Sequence, residues 1–269
     1  MRNIKLVIEY DGTNYNGWQV QKPEVTSQRL NWSAKNKSTK AISTIQGILQ
    51  EAIKKVTNED IKLVGAGRTD AGVHAKAQVA NFHTLSNIPV AKLPFAINTH
   101  LPEDIVIKSA EEVPLDFNAR RDARAREYMY VINNHRFRSA VQRLYSYHIP
   151  FNLNIGAMQD AAEYLKGEHD FSGFTCKNRK FDASGQNPHP EIRNIMRLDI
   201  EKKDDFIYII IKANSFLMHM VRYMVSALLT VGREKMKPED IKLYLEPNPI
   251  KWTYSRAPAK GLFLMKVEY

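Results

Sequence analysis

The chain contains one cysteine, Cys176, in 269 residues. A single thiol excludes an intramolecular disulfide and any cysteine-based zinc cluster. Long apolar runs are also missing. Hydrophobic residues make up 43% of the chain, yet no window approaches the roughly 18 uninterrupted apolar residues that a membrane span requires. The opening Met-Arg-Asn-Ile-Lys-Leu-Val-Ile-Glu-Tyr carries Glu9 inside its apolar stretch and has no small-residue cleavage site. It reads as a strand and not as a signal peptide, so a cytoplasmic location is expected and a membrane partner is not. Acidic residues are scarce relative to basic ones, 29 against 39, leaving a formal charge of +10. That excess favours a polyanion such as RNA, although an inert basic surface would give the same count.

The length suits one large domain or two ordinary ones. Strand character over Ile4–Tyr10 is followed by an amphipathic helix at Thr44–Thr57, with Ile45, Ile48, Leu49, Ala52, Ile53 and Val56 on one stripe. Ile61–Ala66 and Ala77–Thr84 read as strands flanking a tight polar loop, Val90–Thr99 as a short helix and Ile105–Val113 as a strand. The second half repeats the order. Tyr128–Asn133 is strand-like, Ile155–Lys166 is a helix ending near Gly167, and Ile192–Glu201 with Phe206–Ala213 forms a hairpin. Ser215–Val231 reads as a long apolar helix ending at Gly232, and Leu262–Tyr269 as a closing strand. Two β-α-β-β-α-β halves predict an α+β fold of two ferredoxin-like units that share an extended antiparallel sheet with helices packed on it. The boundary falls near Pro114–Arg124, dividing residues 1–115 from 116–269. Pro23–Ser43, rich in Ser, Asn and Lys, and Thr175–Pro190 interrupt the order and read equally well as solvated linkers or as RNA contacts.

Three features carry chemistry. Gly65-Ala-Gly-Arg-Thr-Asp-Ala-Gly-Val-His74 lies between two strands, and its glycines permit close backbone approach. Such a loop can present Asp70 rigidly beside Arg68 and His74, or it can be a hairpin in which Thr69 and Asp70 make turn hydrogen bonds. It is neither a dinucleotide fingerprint nor a phosphate-binding Walker loop, because the glycine spacing is wrong and Gly-Lys-Ser/Thr is absent. Arg222 interrupts an otherwise apolar helix, so it either reaches the surface or meets a carboxylate that it would hold ionised. Tyr128 and Tyr130 share one strand face. One can offer its ring to a base while neighbouring arginines hold phosphates, or both can pack in the sheet core.

Gly67-Arg-Thr-Asp-Ala-Gly-Val-His-Ala75 resembles the signature of the TruA-type tRNA pseudouridine synthase family. The surrounding blocks follow in the family's order: Tyr10-Asp-Gly-Thr-Asn-Tyr-Asn-Gly-Trp-Gln19, Thr44-Ile-Gln46, Phe117-Asn-Ala-Arg120, Tyr128-Met-Tyr130, Asn214-Ser-Phe-Leu-Met-His-Met-Val-Arg222 and Gly261-Leu-Phe-Leu264. The resemblance implies that Asp70 is the catalytic carboxylate and that Tyr128 stacks on the target uracil. It implies that Arg222 pairs with the aspartate, that Arg68 lines the RNA cleft and helps to flip the nucleotide, and that Leu262 packs against the base. It further implies an active-site cleft between two lobes, a homodimer, and uridines at tRNA positions 38 to 40 in the anticodon stem-loop as substrates. Two departures concern the RNA surface: Pro23–Ser43 is longer than the usual link, and Glu127 and Met129 stand where basic residues are common.

The implied reaction breaks an N-glycosidic bond, turns the base and makes a C-glycosidic bond without net redox change, so no cofactor and no metal ligand set are expected. A non-catalytic RNA-binding module would predict loss of Asp70 or Tyr128, and both are present. A glycosidase would want a second carboxylate in the motif, and a nuclease would want metal ligands or a histidine pair. The charge excess carries a prediction: affinity for tRNA falls steeply with salt, with a log–log slope near −0.9 for each duplex phosphate neutralised. Filter binding across a salt series measures it, and an affinity that ignores salt overturns the electrostatic reading.

Overall fold

The computed structural model describes residues 1–20, 43–175, 191–245, 250 and 252–269. Apart from Ser43 and Thr175, the two interrupting stretches lie outside the described residues, as does Cys176. In β1 (Arg2–Tyr10) the side chains of Ile4, Leu6, Ile8 and Tyr10 are buried on one face, as a strand's two-residue period requires. The next element, α1 (Ile45–Thr57), starts at Thr44, whose hydroxyl accepts from the Gly47 amide, and ends at left-handed Asn58. After it come β2 (Val64–Gly65), β3 (His74–Thr84), a 3-10 turn at Val90–Lys92 that leads into α2 (Leu93–Asn98), and β4 (Ile105–Val113). The second half comprises β5 (Ala125–Asn133), β6 (Tyr147–His148), α3 (Ile155–Leu165), β7 (Gly167–Asp170), β8 (Ile192–Lys203), β9 (Phe206–Ala213), α4 (Met220–Gly232) and β10 (Leu262–Glu268).

Among the described residues all ten strands belong to one sheet in the order β4-β1-β3-β10-β5-β9-β8-β7, with β2 paired to β3 and β6 to β5. The result is a mixed α+β fold with a large sheet and helices. Ile207, Ile209, Ile211 and Ala213 of β9 bury the same face that takes Met158, Ala161 and Leu165 of α3 and Met220, Met224 and Leu228 of α4, so one continuous core runs beneath the helices. The opposite face is covered locally by the connection between β4 and β5. Asn3 Nδ2 donates to the carbonyls of Pro114 and Phe117, both at 2.9 Å, and Asn81 Oδ1 accepts from the Ala119 amide at 2.8 Å. Tyr269 donates its hydroxyl to Ala119 at 2.8 Å. The predicted boundary segment is therefore a strap bonded to strands of both halves.

Three expectations are corrected. The sheet is antiparallel except at two places: β10 meets β3 in parallel through Phe263–His74 and Leu264–Ala75, and β6 meets β5 in parallel. The first is possible because β2 pairs only with Ala80 and Asn81, leaving the His74 end of β3 open. Of the strand expected at Ile61–Ala66, only Val64 and Gly65 pair. Gln50 and Gln46 of α1 donate instead to the carbonyls of Ile61, at 3.3 Å, and Leu63, at 2.9 Å, so helix side chains satisfy that backbone. The long helix starts at Met220 and not Ser215, because His219 has φ 64 and stops the helix there.

Among the described residues no helix is long and apolar enough to cross a membrane. Ile209 is fully buried at the centre of β9, between Tyr130 and Ile200. Ile209→Ala is expected to cost about 2–5 kcal/mol, read as a lowered urea midpoint with an unchanged slope. A loss below about 1 kcal/mol would show that the core is not continuous there.

Candidate active site

Asp70 owes its place to the packing of two loops. The loop before α1 presses on the loop before β3 with glycines at the contacts. A β-carbon on Gly17, whose φ is +78, would stand 2.4 Å from the Thr69 carbonyl oxygen, and one on Gly12 would stand 2.0 Å from that of Val73. Only glycine permits this approach. The Trp18 amide donates to the Thr69 carbonyl at 3.1 Å, Gln78 Nε2 donates to the Gly67 carbonyl at 3.0 Å, and the hydroxyls of Tyr10 and Thr69 are 2.8 Å apart. These bonds before Asp70, with the Val73 amide donating to the Asp70 carbonyl at 3.2 Å after it, hold its backbone.

The second half supplies the partner. Arg222, 8% exposed on α4, directs Nη1 to Asp70 Oδ2 at 2.8 Å and Nε to the Ala257 carbonyl at 2.7 Å. Asp70 keeps 24% of its side chain exposed, so the pair lies at the edge of the core with the carboxylate toward solvent. Of the two alternatives for Arg222, the meeting with a carboxylate is the one observed.

Tyr128 lies on β5 between Ile211 of β9 and Leu264 of β10, with its ring edge-on to Phe216 at 5.2 Å. Its hydroxyl is 3.8 Å from where a β-carbon on Gly67 would stand, which puts the ring beside the Asp70 loop. Burial, and after it the negative charge of Asp70, push the hydroxyl above the ordinary tyrosine range, so it is a neutral phenol at physiological pH. Tyr130 takes the core role, fully buried with its hydroxyl donated to the Pro258 carbonyl at 2.8 Å. Leu262, 5% exposed, starts β10 opposite Tyr130. Arg68 is exposed two residues before Asp70.

His74 has a structural place. Its Nδ1 lies 3.1 Å from the Gly12 amide and 3.0 Å from Asp11 Oδ1, and its Nε2 faces the Leu144 carbonyl at 3.2 Å. Burial lowers its pKa, and the ring stacks on Phe263 at 4.7 Å. It ties the Asp70 loop to the second half and does not reach the carboxylate.

Sequence reasoning assigned no role to His219 and Arg256. His219 Nε2 is 3.4 Å from Asp70 Oδ1, and Arg256 Nη1 is 2.8 Å from His219 Nδ1. The signal was present, since His219 stands three residues before Arg222 in the same block. Among the described residues no group of three His, Cys, Asp or Glu side chains could hold a metal ion.

Residues 6–122 and 161–269 match the family model described as tRNA pseudouridine synthase. Among curated proteins the chain is similar to the tRNA pseudouridine synthase A of Thermoanaerobacter sp. (strain X514) and to that of Caldicellulosiruptor saccharolyticus, each 45% identical over 269 residues and covering 100% of both chains. The protein of that name from Brevibacillus brevis is 38% identical over the same 269 residues, again with full coverage of both.

The ion pair gives a measurable coupling. Arg222→Met keeps the apolar stem and removes the charge, and a double-mutant cycle with Asp70→Asn is expected to yield about 1–3 kcal/mol of interaction energy in unfolding. Effects that add to within about 0.5 kcal/mol would show that the two side chains do not interact in solution.

Proposed function

The chain belongs to the tRNA pseudouridine synthase family and isomerises uridine to pseudouridine in tRNA; on that premise we propose that Asp70 is the carboxylate that carries out the isomerisation, on uridines of the anticodon stem-loop at positions 38 to 40. One observation supports the assignment above the rest. Asp70 is the carboxylate that the buried Arg222 contacts at 2.8 Å, while part of it still faces solvent. An ionised carboxylate is what the reaction needs, whether it attacks the sugar, adds to the ring or takes a sugar proton.

The other side chains fit around it. A target uridine paired in a stem must leave the stack to reach a carboxylate, and the flipped base needs a flat apolar platform. Tyr128 is assigned that platform, with Leu262 at the other edge of the base. Arg68, exposed beside Asp70, is assigned to the backbone of the flipped nucleotide. Cleavage of the bond from C1′ to N1 and closure of the bond from C1′ to C5 leave the C5 proton to be lost and N1 to be protonated. Atoms and electrons then balance without a cofactor.

The fold is read as two ferredoxin-like halves, residues 1–115 and 116–269, with the cleft between them. The strand orders support this. In the first half the strands run β4-β1-β3-β2 and in the second, with the short β6 and β7 left aside, β10-β5-β9-β8, the same sequence of fourth, first, third and second strand. Homodimeric assembly, which rests on the family resemblance, and a cytoplasmic location complete the reading.

Asp70→Asn tests the assignment. It keeps shape and most hydrogen-bonding capacity but removes the charge. Pseudouridine formation on an anticodon stem-loop is expected to fall by more than about 1,000-fold, while tRNA binding, which depends on phosphate contacts elsewhere, stays within a few-fold. A folded, tRNA-binding variant that still converts uridine at near the parental rate would remove Asp70 from the chemistry.

A further inference from the structure

His219 precedes the first residue of α4 with φ 64 and ψ 3, a left-handed backbone unusual for a residue with a β-carbon, and its side chain makes no capping hydrogen bond there. The ring instead fills the space between the Asp70 loop and the segment around Arg256. Its Nε2 stands 3.4 Å from Asp70 Oδ1, while Arg222 holds Oδ2 at 2.8 Å, so each carboxylate oxygen has its own nitrogen neighbour. Arg256 Nη1 is 2.8 Å from Nδ1 and 3.3 Å from Nε2, so Nδ1 is its nearer ring nitrogen. A guanidinium has only protons to offer and lies nearer Nδ1, while the carboxylate, an acceptor, faces Nε2, so the arrangement favours a bare Nδ1. The ring proton is thereby placed on Nε2, facing Asp70.

We propose that His219 is a positioning residue for Asp70, fixed by Arg256 as the neutral tautomer protonated on Nε2, so that the carboxylate is oriented by a cation on one oxygen and a neutral donor on the other. The proposal rests on the reading of Asp70 as the catalytic carboxylate. A second cation on Oδ1 would draw electron density from the oxygen that must react, whereas a neutral N–H orients it without a full charge. The 3.4 Å separation is longer than a formed hydrogen bond, and such contacts shorten when substrate closes the site.

The surroundings keep the ring neutral. Asp70 faces it from the loop, Arg222 and Tyr223 from α4, and Arg256 from the segment before β10. Burial lowers its pKa below the ordinary 6.5, Asp70 opposes this, and Arg256 and Arg222 reinforce it. Protonation would put a hydrogen on Nδ1 against Arg256 Nη1, two donors face to face, and break that contact.

The test compares kcat and KM for an anticodon stem-loop across pH in His219→Leu, His219→Gln, Arg256→Met and Asp70→Asn. His219→Leu removes the donor and is expected to lower kcat by about 10- to 100-fold with KM unchanged. Glutamine offers an N–H toward Asp70 and an oxygen toward Arg256, and restores most of kcat. The parental kcat falls on the acid side below pH 6.5, the ordinary value for histidine. That limb is missing in His219→Gln and displaced to higher pH in Arg256→Met, where a positive neighbour has gone. A kcat in His219→Leu within about twofold of parental, well short of that loss, overturns the proposal, as does an acid limb that His219→Gln retains unchanged. Should His219→Leu fail to fold, the glutamine and Arg256→Met profiles decide by the same criteria. Asp70→Asn separates the two levels: if it remains active the reading of Asp70 fails, and if it is inactive while His219→Leu is unimpaired only the positioning role fails.

Discussion

The ion pair between Asp70 and Arg222 is the constraint on which the rest of the structure depends. Arg222 lies on a helix whose other residues are almost all buried, and a guanidinium left there without a partner would cost several kcal/mol. Its partner comes from the other half of the chain, 152 residues away. The two halves must therefore meet in one fixed relation, and several contacts across their junction serve that end. β3 and β10 pair directly, the connection after β4 is bonded to strands on both sides, and Tyr145 donates its hydroxyl to Asp11 at 2.7 Å. His74 adds a stacked ring and a hydrogen bond to the Leu144 carbonyl.

Placing the carboxylate at this junction solves a problem of presentation. A charged side chain on a free loop would sample many positions, and its productive one would be rare. Here the loop is held by hydrogen bonds to Tyr10, Trp18 and Gln78, and by two glycine contacts that no larger residue could make. The backbone is fixed by the first half and the carboxylate by the second. Asp70 retains solvent access because the pair sits at the rim of the core.

The electrostatics are correspondingly simple. Tyr128 and Tyr10 are both held neutral by burial, so the charge at the site is concentrated on Asp70 and the arginines around it. The excess of basic residues serves a different task, holding a polyanion over the site, and it is visible on exposed Arg68, Arg120, Arg121 and Arg124.

The sequence by itself determined the local features. Apolar strand character gave β1 and the hairpin of β8 and β9, the apolar stripe from Thr44 gave α1, and the nine-residue motif singled out Asp70, because local pattern and motif chemistry depend only on neighbours along the chain. Arg222 was legible as an anomaly, a charge in an apolar helix that required a partner. What tertiary structure alone decided was which groups meet. The family resemblance had already implied Asp70 as that partner, but the parallel seam between β3 and β10, the shortened β2 whose neighbouring backbone α1 satisfies, and the left-handed turn that aims His219 at Asp70 all depend on how the halves pack. Such pairings depend on sheet register and on the approach of two loops, and neither leaves a periodic trace in the residues that take part.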